Sequence, residues 1–545
     1  MDTLDIIRIA GGLALFVVAF AIAGRRVKYL IDLVRVAQPM PERMRGSAAQ
    51  TIRYELQHVL GQQKLLKWTV PGVLHAFIFY AFIVHQTLTL EALGEVFDPE
   101  FHIPFFGPDR WWTELLGFLQ DFVAVLVLVA IIGFALIRLA QAPRRAGRAS
   151  RFSGSNLDQG WYVLYLEFFL VYSVMILRGV RAAEGTLPYS EAAFLSRFVG
   201  AQLDGLPSDT LHILGVVALL VHIAAFGGFM VYTLFSKHLH VFSIIPSVAF
   251  SRTPKALGKL EADRIDVENM DEDMVLGVGQ IEQFGFKRFL DYYSCTECGR
   301  CQSQCPAWNT AKPLSPKLLI MDLRDHLWET GPYLLDGGRE NEAHADVDVL
   351  GMMLVGDEPG QDDAVIDFDV LWSCTTCGAC VEECPVDIEH VDHILDLRRY
   401  KAQMESSFPQ EAGVMLRNIE NSGDPWGAGS MKRLEWAQGL EIPVLGEDVA
   451  PGGAQGSTLS LADVDYLFWV GCAGAFEDRA KKTTVSTAQL LQAAGVSFAV
   501  LGQGEACTGD PARRLGMEYL FQMMADTNIE TLKEAGADLG SPEQR

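Results

Sequence analysis

The sequence lacks the glycine-rich fingerprints of nucleotide-binding enzymes. Its 545 residues contain no G-x-G-x-x-G turn for a flavin or nicotinamide dinucleotide and no G-x-x-x-x-G-K phosphate-binding loop. We therefore expect any flavin or nicotinamide chemistry to come from a partner. Basic residues are also scarce, with 44 Lys and Arg against 68 Asp and Glu. We do not expect so acidic a chain to bind nucleic acid, because the phosphates would repel it.

The excess of negative charge is confined to the C-terminal part of the chain. Residues 1–240 carry 20 basic and 18 acidic residues, whereas residues 241–545 carry 24 and 50. The first part contains five apolar stretches, each close to the roughly 20 residues that a bilayer core requires. They lie at about 6–23, 68–90, 122–139, 161–177 and 211–235. We predict a five-helix transmembrane bundle followed by an acidic soluble body.

The loops between these stretches predict the orientation of the bundle. Basic residues dominate the loops after the first and third stretches, and acidic residues dominate the loop after the second. By the positive-inside rule the N-terminus lies outside and the C-terminal half is cytoplasmic, at the inner membrane of a bacterial cell. Asp2 and Asp5 precede the first stretch and no small-residue cleavage site follows it, so we do not expect a cleaved signal peptide.

Ten cysteines are few for this length, yet eight of them form two copies of one motif, C-x2-C-x2-C-x3-C-P. This spacing is typical of bacterial two-cluster ferredoxins, in which the fourth cysteine of each run binds the other [4Fe–4S] cluster. We predict one cluster on Cys295, Cys298, Cys301 and Cys384, and a second on Cys374, Cys377, Cys380 and Cys305. The alternatives are zinc sites, which rarely use so compact a run, and disulfides, which need an oxidising compartment. The clusters imply electron transfer.

Histidines inside apolar stretches are costly and therefore informative. The second stretch contains His75 and His85, the fifth contains His222, and His240 follows its end. Neutral imidazole is a common axial ligand of haem iron, so two antiparallel helices with two histidines each predict two haems. The directions of the helices pair His75 with His240 and His85 with His222.

The spacing of these histidines leaves an alternative open. His75 and His85 are ten residues apart, about 15 Å of helix, whereas His222 and His240 are eighteen apart, about 27 Å. His212 lies ten residues before His222, so pairs of His75 with His222 and His85 with His212 fit straight helices better. Some of these histidines would otherwise only hydrogen-bond between helices. Glu167, in the fourth stretch, is a candidate for proton uptake near a quinone, or a residue in a polar helix contact.

The soluble part divides by pattern into four segments. Residues 241–284 read as a connector, 285–405 as an α-helical two-cluster ferredoxin-like module, 406–460 as a helical linker and 461–545 as a partial α/β domain. Ser315 and Pro316 suit the start of a helix over 315–328, and residues 335–363 resemble a loop insertion. In the last segment we expect strands at 464–470 and 496–501 and helices at 483–494 and 513–524. Cys472 and Cys507 each follow a strand and are either ligands or buried inert thiols.

The membrane part resembles the gamma subunit of respiratory nitrate reductase, a five-span dihaem cytochrome b. The similar segments are HAFIFYAFIVH at 75–85 and the stretch from His222 through SKHLHVFS. The intervals of ten and eighteen residues agree with that family, so the resemblance favours His240 over His212 as a ligand, and His238 is a weaker competitor.

The soluble part resembles iron–sulfur subunits related to heterodisulfide reductase, and in particular the electron-transfer-flavoprotein:menaquinone oxidoreductases. The similar segments are YSCTECGRCQSQCPAW, WSCTTCGACVEECPVD and WVGCAGAFEDRAKK with CTGDPARR. In the broader family a cysteine-rich domain follows C-x(31–39)-C-C-x(35–36)-C-x-x-C. Here Cys472 and Cys507 take the first two positions, Thr508 replaces the paired cysteine, and no later cysteine follows. We expect either a truncated domain or one completed by another polypeptide.

Three functions follow for testing. The first is an oxidoreductase of the respiratory chain that connects a cytoplasmic donor, by resemblance an electron-transfer flavoprotein, to menaquinone through two [4Fe–4S] clusters and two b haems. The second is a heterodisulfide-reductase-like enzyme that couples quinol or haem to disulfide reduction, for which the cysteine-rich domain looks incomplete. The third is a non-catalytic membrane anchor, against which the two complete cysteine sets argue.

Overall fold

The protein forms two compact units in the computed structural model. The structure describes residues 3–44, 47–106, 110–187, 189–252, 260, 262, 264–266, 274–361, 363–450 and 457–537. Unit one comprises Met1–Leu257, Gln280–Met352 and Gly378–His390. Unit two comprises Gly258–Gly279, Met353–Cys377 and Val391–Arg545.

The N-terminal part of unit one is helical. Its α-helices are α1 (Thr3–Val36), α2 (Ala48–Glu55), α3 (Gln63–Leu66), α4 (Thr69–Glu95), α5 (Trp111–Ala140), α6 (Pro143–Ala146), α7 (Leu157–Glu184), α8 (Phe194–Ala201), α9 (Ser208–Leu234) and α10 (His240–Ala249). Five of them, α1, α4, α5, α7 and α9, are long and apolar enough to cross a membrane. The five predicted stretches are confirmed as helices, each longer than its apolar core.

Small residues let the membrane helices approach closely. A Cβ on Gly12 would lie 2.7 Å from Val96 Cγ2, and one on Gly227 would lie 2.9 Å from Ala19 Cβ. Helices in a bilayer associate through such close packing, because lipid tails are as apolar as the side chains and the hydrophobic effect does not drive the helices together. Large apolar side chains such as Val17, Phe20 and Ile132 point outward and are exposed, as a lipid-facing surface requires.

Short helices build the cysteine-containing region. They are α11 (Phe286–Ser294), α12 (Arg300–Gln304), α13 (Pro306–Asn309), α14 (Pro316–Leu334), α15 (Asp348–Gly351), α16 (Phe368–Trp372) and α17 (Ala379–Glu383). The predicted start of α14 is confirmed, because Ser315 Oγ accepts from Leu318 N at 3.2 Å and Pro316 opens the helix. The expected loop insertion at 335–363 instead contains α15 and strand β1 (Met353–Val355), which pairs in parallel with β2 (Ala364–Ile366).

The C-terminal part of unit two contains four helices of 13 or more residues, two short helices and a two-stranded sheet. It contains α18 (His390–Gln403), α19 (Gln410–Ser422), β3 (Tyr466–Leu467), α20 (Gly471–Phe476), α21 (Asp478–Ala493), β4 (Phe498–Ala499), α22 (Asp510–Arg514) and α23 (Glu518–Glu534). Strands β3 and β4 pair in parallel, as expected, but each has two residues only. The expected helix at 513–524 is wrong in detail, since Gly516 at φ +91° separates α22 from α23.

Turns of 3₁₀ helix and one π-helical turn link these elements. The π turn is Leu56–Leu60, and the 3₁₀ turns are Pro41–Met44, Gly147–Ala149, Lys237–Leu239, Ile281–Gln283, Gly338–Glu340, Glu342–His344, Ser430–Lys432, Glu435–Ala437, Leu461–Asp463 and Gly502–Gly504.

Candidate redox centres

The two cysteine motifs adopt the same backbone course. In the first, Glu297 has φ +56° and Gly299 has φ +74°, and α12 follows; in the second, Thr376 has φ +55° and Gly378 has φ +75°, and α17 follows. A Cβ on Gly299 would lie 1.9 Å from the carbonyl oxygen of Arg151, so only glycine fits. The internal repeat seen in the sequence is thus a repeat of conformation, with each loop wrapping back toward its own cysteines.

The first predicted ligand set is brought together in unit one. Cys301 lies within electrostatic range of Cys295, Cys298 and Cys384. Burial raises the pKa of Cys295 to about 11 and that of Cys384 to about 12, and neighbouring thiols add to both shifts. Buried thiols that disfavour their own ionisation suit a group that brings positive charge, as the iron of a cubane does. These four residues therefore fit a [4Fe–4S] cluster.

The second predicted set is divided between the units. Cys305 and Cys380 belong to unit one, and Cys374 and Cys377 belong to unit two. Within unit two, Thr376 N donates to Cys374 Sγ at 3.2 Å and Arg398 Nη2 donates to the Cys374 carbonyl at 2.8 Å. The second ligand set stays a prediction.

No group of three or more His, Cys, Asp or Glu in the described part of the chain is tight enough to hold a single metal ion. The thiolates of a cubane bind four different iron atoms, so they stand further apart than the ligands of one ion.

Buried cations surround the first set. Lys317 Nζ donates to Ser155 Oγ at 2.8 Å and to the Arg151 carbonyl at 3.2 Å, and lies within electrostatic range of Cys295, Cys298 and Cys301. Burial lowers the pKa of Lys317 to about 8. An ammonium held here stabilises negative charge on the thiolates.

One predicted histidine pair lies near the first cysteine loop. His75, in α4, and His240, at the start of α10, are within electrostatic range of each other. His75 Nδ1 lies 3.3 Å from Gln62 Oε1, and His240 Nδ1 lies 3.4 Å from the Lys237 carbonyl. Hydrogen bonding of one ring nitrogen fixes the orientation of the imidazole and leaves Nε2 for an iron.

The other predicted pair, His85 and His222, lines one small cavity of about 60 Å³ in the membrane bundle. His222 Nδ1 lies 3.0 Å from Ser173 Oγ, and its buried Nε2 has no hydrogen-bond partner among the described residues. His85 differs, because its Nε2 lies 3.3 Å from the Gln120 carbonyl. Glu167 lines the same cavity, and its Oε2 likewise has no hydrogen-bond partner in the described part of the chain.

The competing histidines lie elsewhere. His212 is within electrostatic range of Glu184. His238 lies 6.1 Å from His240 between ring centroids, and its Nδ1 is 3.3 Å from Ser236 Oγ. The structure therefore places His222 beside His85, and the assignment of haem ligands stays a prediction.

Sequence reasoning missed Glu297, which joins the cysteine loop to the membrane helices. Its carboxylate has no side-chain exposure and accepts from Lys237 Nζ at 3.0 Å and from Arg324 Nη2 at 3.0 Å. It also accepts from Asn156 N at 2.7 Å, at the start of α7. The sequence did carry a signal for Glu297. It is a carboxylate between two cysteines of a ligand motif, where a buried negative charge is unfavourable unless cations pair with it.

In unit two, Cys472 and Cys507 form a hydrogen-bonded thiol pair. Arg433 Nη2 donates to Cys472 Sγ at 3.1 Å, and Arg433 is itself paired with the buried Glu505 at 3.2 Å. The hydrogen bond from Cys472 lowers the pKa of Cys507 to about 7. Glu505 was also missed, and it accepts from Gly471 N at 2.6 Å.

Comparison with known proteins supports this reading of the cysteines. Residues 294–388 match the family model "4Fe-4S dicluster domain", and residues 466–541 match "Cysteine-rich domain". The probable iron–sulfur-binding oxidoreductase FadF of Bacillus subtilis is 34% identical over 505 residues, covering 88% of this chain and 67% of FadF. The chain belongs to the FadF family of iron–sulfur oxidoreductases.

Two further relatives are similar to most of this chain. The EtfAB:quinone oxidoreductase of Syntrophomonas wolfei is 30% identical over 498 residues, covering 87% of this chain and 65% of the relative. A probable membrane-anchored ferredoxin of Chromohalobacter salexigens is 30% identical over 535 residues, covering 94% of this chain and 69% of the relative. The chain thus spans about two thirds of the length of these relatives. No solved structure matches it significantly. The predicted resemblance and the order of five apolar helices, dicluster module and cysteine-rich domain are confirmed.

Proposed function

We propose that the protein passes electrons from a cytoplasmic flavoprotein to menaquinone, using [4Fe–4S] clusters on the two cysteine motifs and two b haems on the histidine pairs. The observation that carries the proposal is a short chain of buried contacts inside unit one. Glu297, in the first cysteine loop, binds Lys237, and the carbonyl of Lys237 lies 3.4 Å from His240 Nδ1. Thiols and imidazoles are thereby held in one rigid frame, as electron transfer between their cofactors would require.

The imidazole of His240 has the protonation state that a haem ligand needs. Burial, with His75 nearby, lowers the pKa of His240 to about 4, so the ring is neutral at physiological pH. A bis-histidine haem supplies one-electron chemistry at its iron. The cavity between His85 and His222, with an Nε2 on His222 that has no hydrogen-bond partner among the described residues, offers a donor atom for the second haem.

The donor follows from what the chain lacks. It contains no flavin fingerprint, so two-electron oxidation of a substrate must occur on a partner. A relative named EtfAB:quinone oxidoreductase supports an electron-transfer flavoprotein in that role and a quinone as the acceptor. The positive loops of the membrane part support a multi-pass protein of the bacterial inner membrane, with its N-terminus outside and the cysteine motifs in the cytoplasm.

The test follows the haem α-band of the purified protein under anaerobic conditions. Reduced electron-transfer flavoprotein is added first, and a water-soluble menaquinone analogue second. We expect a b-type band to appear and then to be reoxidised. A protein without any haem band would refute the assignment of His75, His85, His222 and His240. A haem that stays oxidised with this donor but is reduced by dithionite would refute the donor.

A matched pair of variants tests the ligand assignment. His240→Ala is expected to lose about half of the haem, whereas His238→Ala, at a neighbouring histidine, is expected to retain all of it. The pyridine haemochrome assay measures both. Equal loss in the two variants would show that the loop after α9, rather than one ligand, was disturbed.

The thiol pair in unit two supports a second candidate, disulfide reduction. Cys472 and Cys507 are hydrogen-bonded to each other beside Arg433, an arrangement that a two-electron disulfide exchange would use. Under this alternative, Cys472→Ser abolishes quinol-dependent consumption of a disulfide. Under the conduit proposal, Cys472→Ser leaves quinone reduction by the flavoprotein intact.

A further inference from the structure

A second cavity, of about 220 Å³, lies beside the first cysteine loop and is not used by the centres described above. Its walls include Arg26 near the end of α1, Phe235 after α9, and Cys295 of the first ligand set. All of these residues belong to unit one. The cavity therefore stands where the ends of two membrane helices meet the cysteine loop.

One wall of this cavity is aromatic. Tyr293 and Trp328 stack with their ring centroids 5.1 Å apart and an interplanar angle of 11°. The guanidinium of Arg26 lies 4.8 Å from the Trp328 ring centroid and 4.7 Å from that of Phe235. An aromatic wall with a guanidinium beside it favours contact with a planar conjugated ring at its exposed edge.

The cations in the cavity differ in how far they are neutralised. Lys237 and Arg324 share the carboxylate of Glu297, and Arg324 also pairs with Asp325 at 2.9 Å. Arg26 has no carboxylate partner among the described residues, and its Nε donates to the Leu234 carbonyl at 3.3 Å. The Tyr29 side chain takes one further hydrogen bond of this guanidinium, and no carboxylate among the described residues competes for its remaining donors. One guanidinium without a carboxylate partner suits a carbonyl oxygen, whereas a phosphate headgroup is usually met by several converging cations.

The cavity also has routes for both electrons and protons. Cys295 forms part of its wall, so a cluster bound there would be next to its occupant. Asp325 provides the route for protons, because it lines the same cavity and its side chain is 53% exposed to solvent. Reduction of a quinone to a quinol takes two electrons and two protons. The electrons would arrive one at a time from the cysteine loop, and the protons from water at Asp325.

We propose that this cavity binds the head group of a membrane quinone, with the ring against Trp328 and Tyr293 and one carbonyl oxygen accepting from Arg26. The inference rests on the proposed function for the source of its electrons. Binding itself does not depend on that source, so it can be measured separately. The exposed Phe235 at the end of α9 marks the side on which an isoprenoid tail would leave toward the lipid.

Photoaffinity labelling tests the location without any variant. An azido-menaquinone analogue is irradiated with the full-length oxidised protein in lipid nanodiscs, and labelled peptides are identified by mass spectrometry. We expect labels on the peptides that contain Phe235, Tyr293 or Trp328, and loss of label when excess menaquinone is present. Labels confined to the peptides of Glu167 and His85 would overturn the inference and leave the proposed function standing.

A matched pair of arginine variants tests the contact. A fluorescent hydroxyquinoline N-oxide serves as the probe for quinone binding. We expect Arg26→Gln to weaken binding by about tenfold or more, because a charge-assisted hydrogen bond is lost, and Arg25→Gln, at the exposed neighbouring position, to leave it unchanged. Equal affinity in both variants would overturn the inference.

Two further readings separate the possible causes of failure. In Arg26→Gln the cluster of the first cysteine set should still be reduced by the flavoprotein donor at the wild-type rate, while its reoxidation by quinone slows. Failure of cluster reduction in the wild-type protein as well would refute the proposed function and not this site. If lipid extraction recovers a stoichiometric anionic phospholipid that quinone does not displace, the cavity is a lipid site and the inference is wrong.

Discussion

Replacement of Glu389 by Gln is the most quantitative test of how unit one is held together. The Glu389 carboxylate is 4% exposed and accepts from Arg43 through both oxygens, at 3.1 and 2.9 Å. It also accepts from Arg288 Nη1 at 2.6 Å and from Arg252 N at 2.9 Å. Arg43 lies between membrane helices α1 and α4, whereas Arg288 lies in α11. Glu389 therefore ties the cysteine region to a loop of the membrane part.

The size of the effect follows from the bonds that glutamine cannot make. Its amide keeps one acceptor oxygen and turns an NH₂ group toward a guanidinium, so at least two charge-assisted hydrogen bonds are lost, at about 1.5–3 kcal/mol each. Removing one partner of a buried ion pair costs about 3–5 kcal/mol of folding free energy, which agrees with the sum of the lost hydrogen bonds. For a unit of this size, that corresponds to a fall in the midpoint of thermal unfolding of roughly 4–7 °C.

Thermal unfolding in detergent, followed by tryptophan fluorescence at pH 7, measures this fall. The control is Glu382→Gln, which removes the same kind of charge from an ion pair with Lys67 whose partners are 51% and 38% exposed. An exposed pair contributes at most about 1 kcal/mol, so the midpoint should fall by less than about 2 °C. Equal shifts in the two variants would refute the argument that burial sets the strength of these pairs.

The pH dependence of stability also tests the role of the buried Glu389 carboxylate. Burial alone would raise the pKa of Glu389, but Lys287, Arg288 and Arg43 outweigh it and hold the pKa well below its usual range. A carboxylate with a lowered folded-state pKa stabilises the fold above its unfolded value of about 4.3, and this contribution is lost as the pH falls further. The difference between wild type and Glu389→Gln should stay constant from pH 7 to 5 and shrink below about pH 4. A difference that shrinks already between pH 7 and 5 would contradict the assignment.

Four other substitutions probe the redox centres. Cys301→Ser should remove about half of the bound iron and stop electron flow from the flavoprotein, as measured by iron analysis and quinone reduction; unchanged turnover would favour the anchor hypothesis. His222→Ala should lose about half of the haem b, as measured by pyridine haemochrome. Lys317→Met should shift one cluster to a more negative midpoint potential in an EPR redox titration, because a buried cation beside three thiols is removed. Gly299→Ala should lower iron content, since its Cβ would meet a carbonyl oxygen at 1.9 Å; Gly495→Ala, also at positive φ but with open space around it, should not.

Local patterns predicted the membrane helices and the cysteine loops. Apolar runs of sufficient length can only be satisfied as helices in a bilayer, so all five were found from composition alone. The cysteine spacing likewise dictates its own turn, because Gly299 and Gly378 supply the positive φ that the motif needs. The start of α14 could also be predicted from a local pattern, since Ser315 caps the first turn of this helix.

The polar connections could not be predicted, because their partners are far apart in the sequence. Glu389 and Arg43 are separated by 346 residues, and Lys237 and Glu297 by 60. The position of Glu297 between two cysteines marks it as unusual, but nothing in the local sequence names Lys237 as its partner, and nothing distinguishes Glu389 and Arg43 from ordinary surface charges. The break between α22 and α23 had the same origin. A Cβ on Gly516 would lie 2.5 Å from the backbone of Arg398, so the chain turns there under a tertiary constraint.

The order in which the two residues of each ion pair are synthesised has a consequence for insertion of the protein into the membrane. Arg43, Lys64 and Lys237 all precede their acidic partners, Glu389, Asp387 and Glu297, by long stretches of chain. While a ribosome is still producing the later part, these cations remain uncompensated, and in the proposed orientation they resist translocation and hold the loops on the cytoplasmic face. The same side chains are neutralised once the acidic residues emerge and fold against them. For these three side chains, a topological signal used during insertion is thus converted into buried structure.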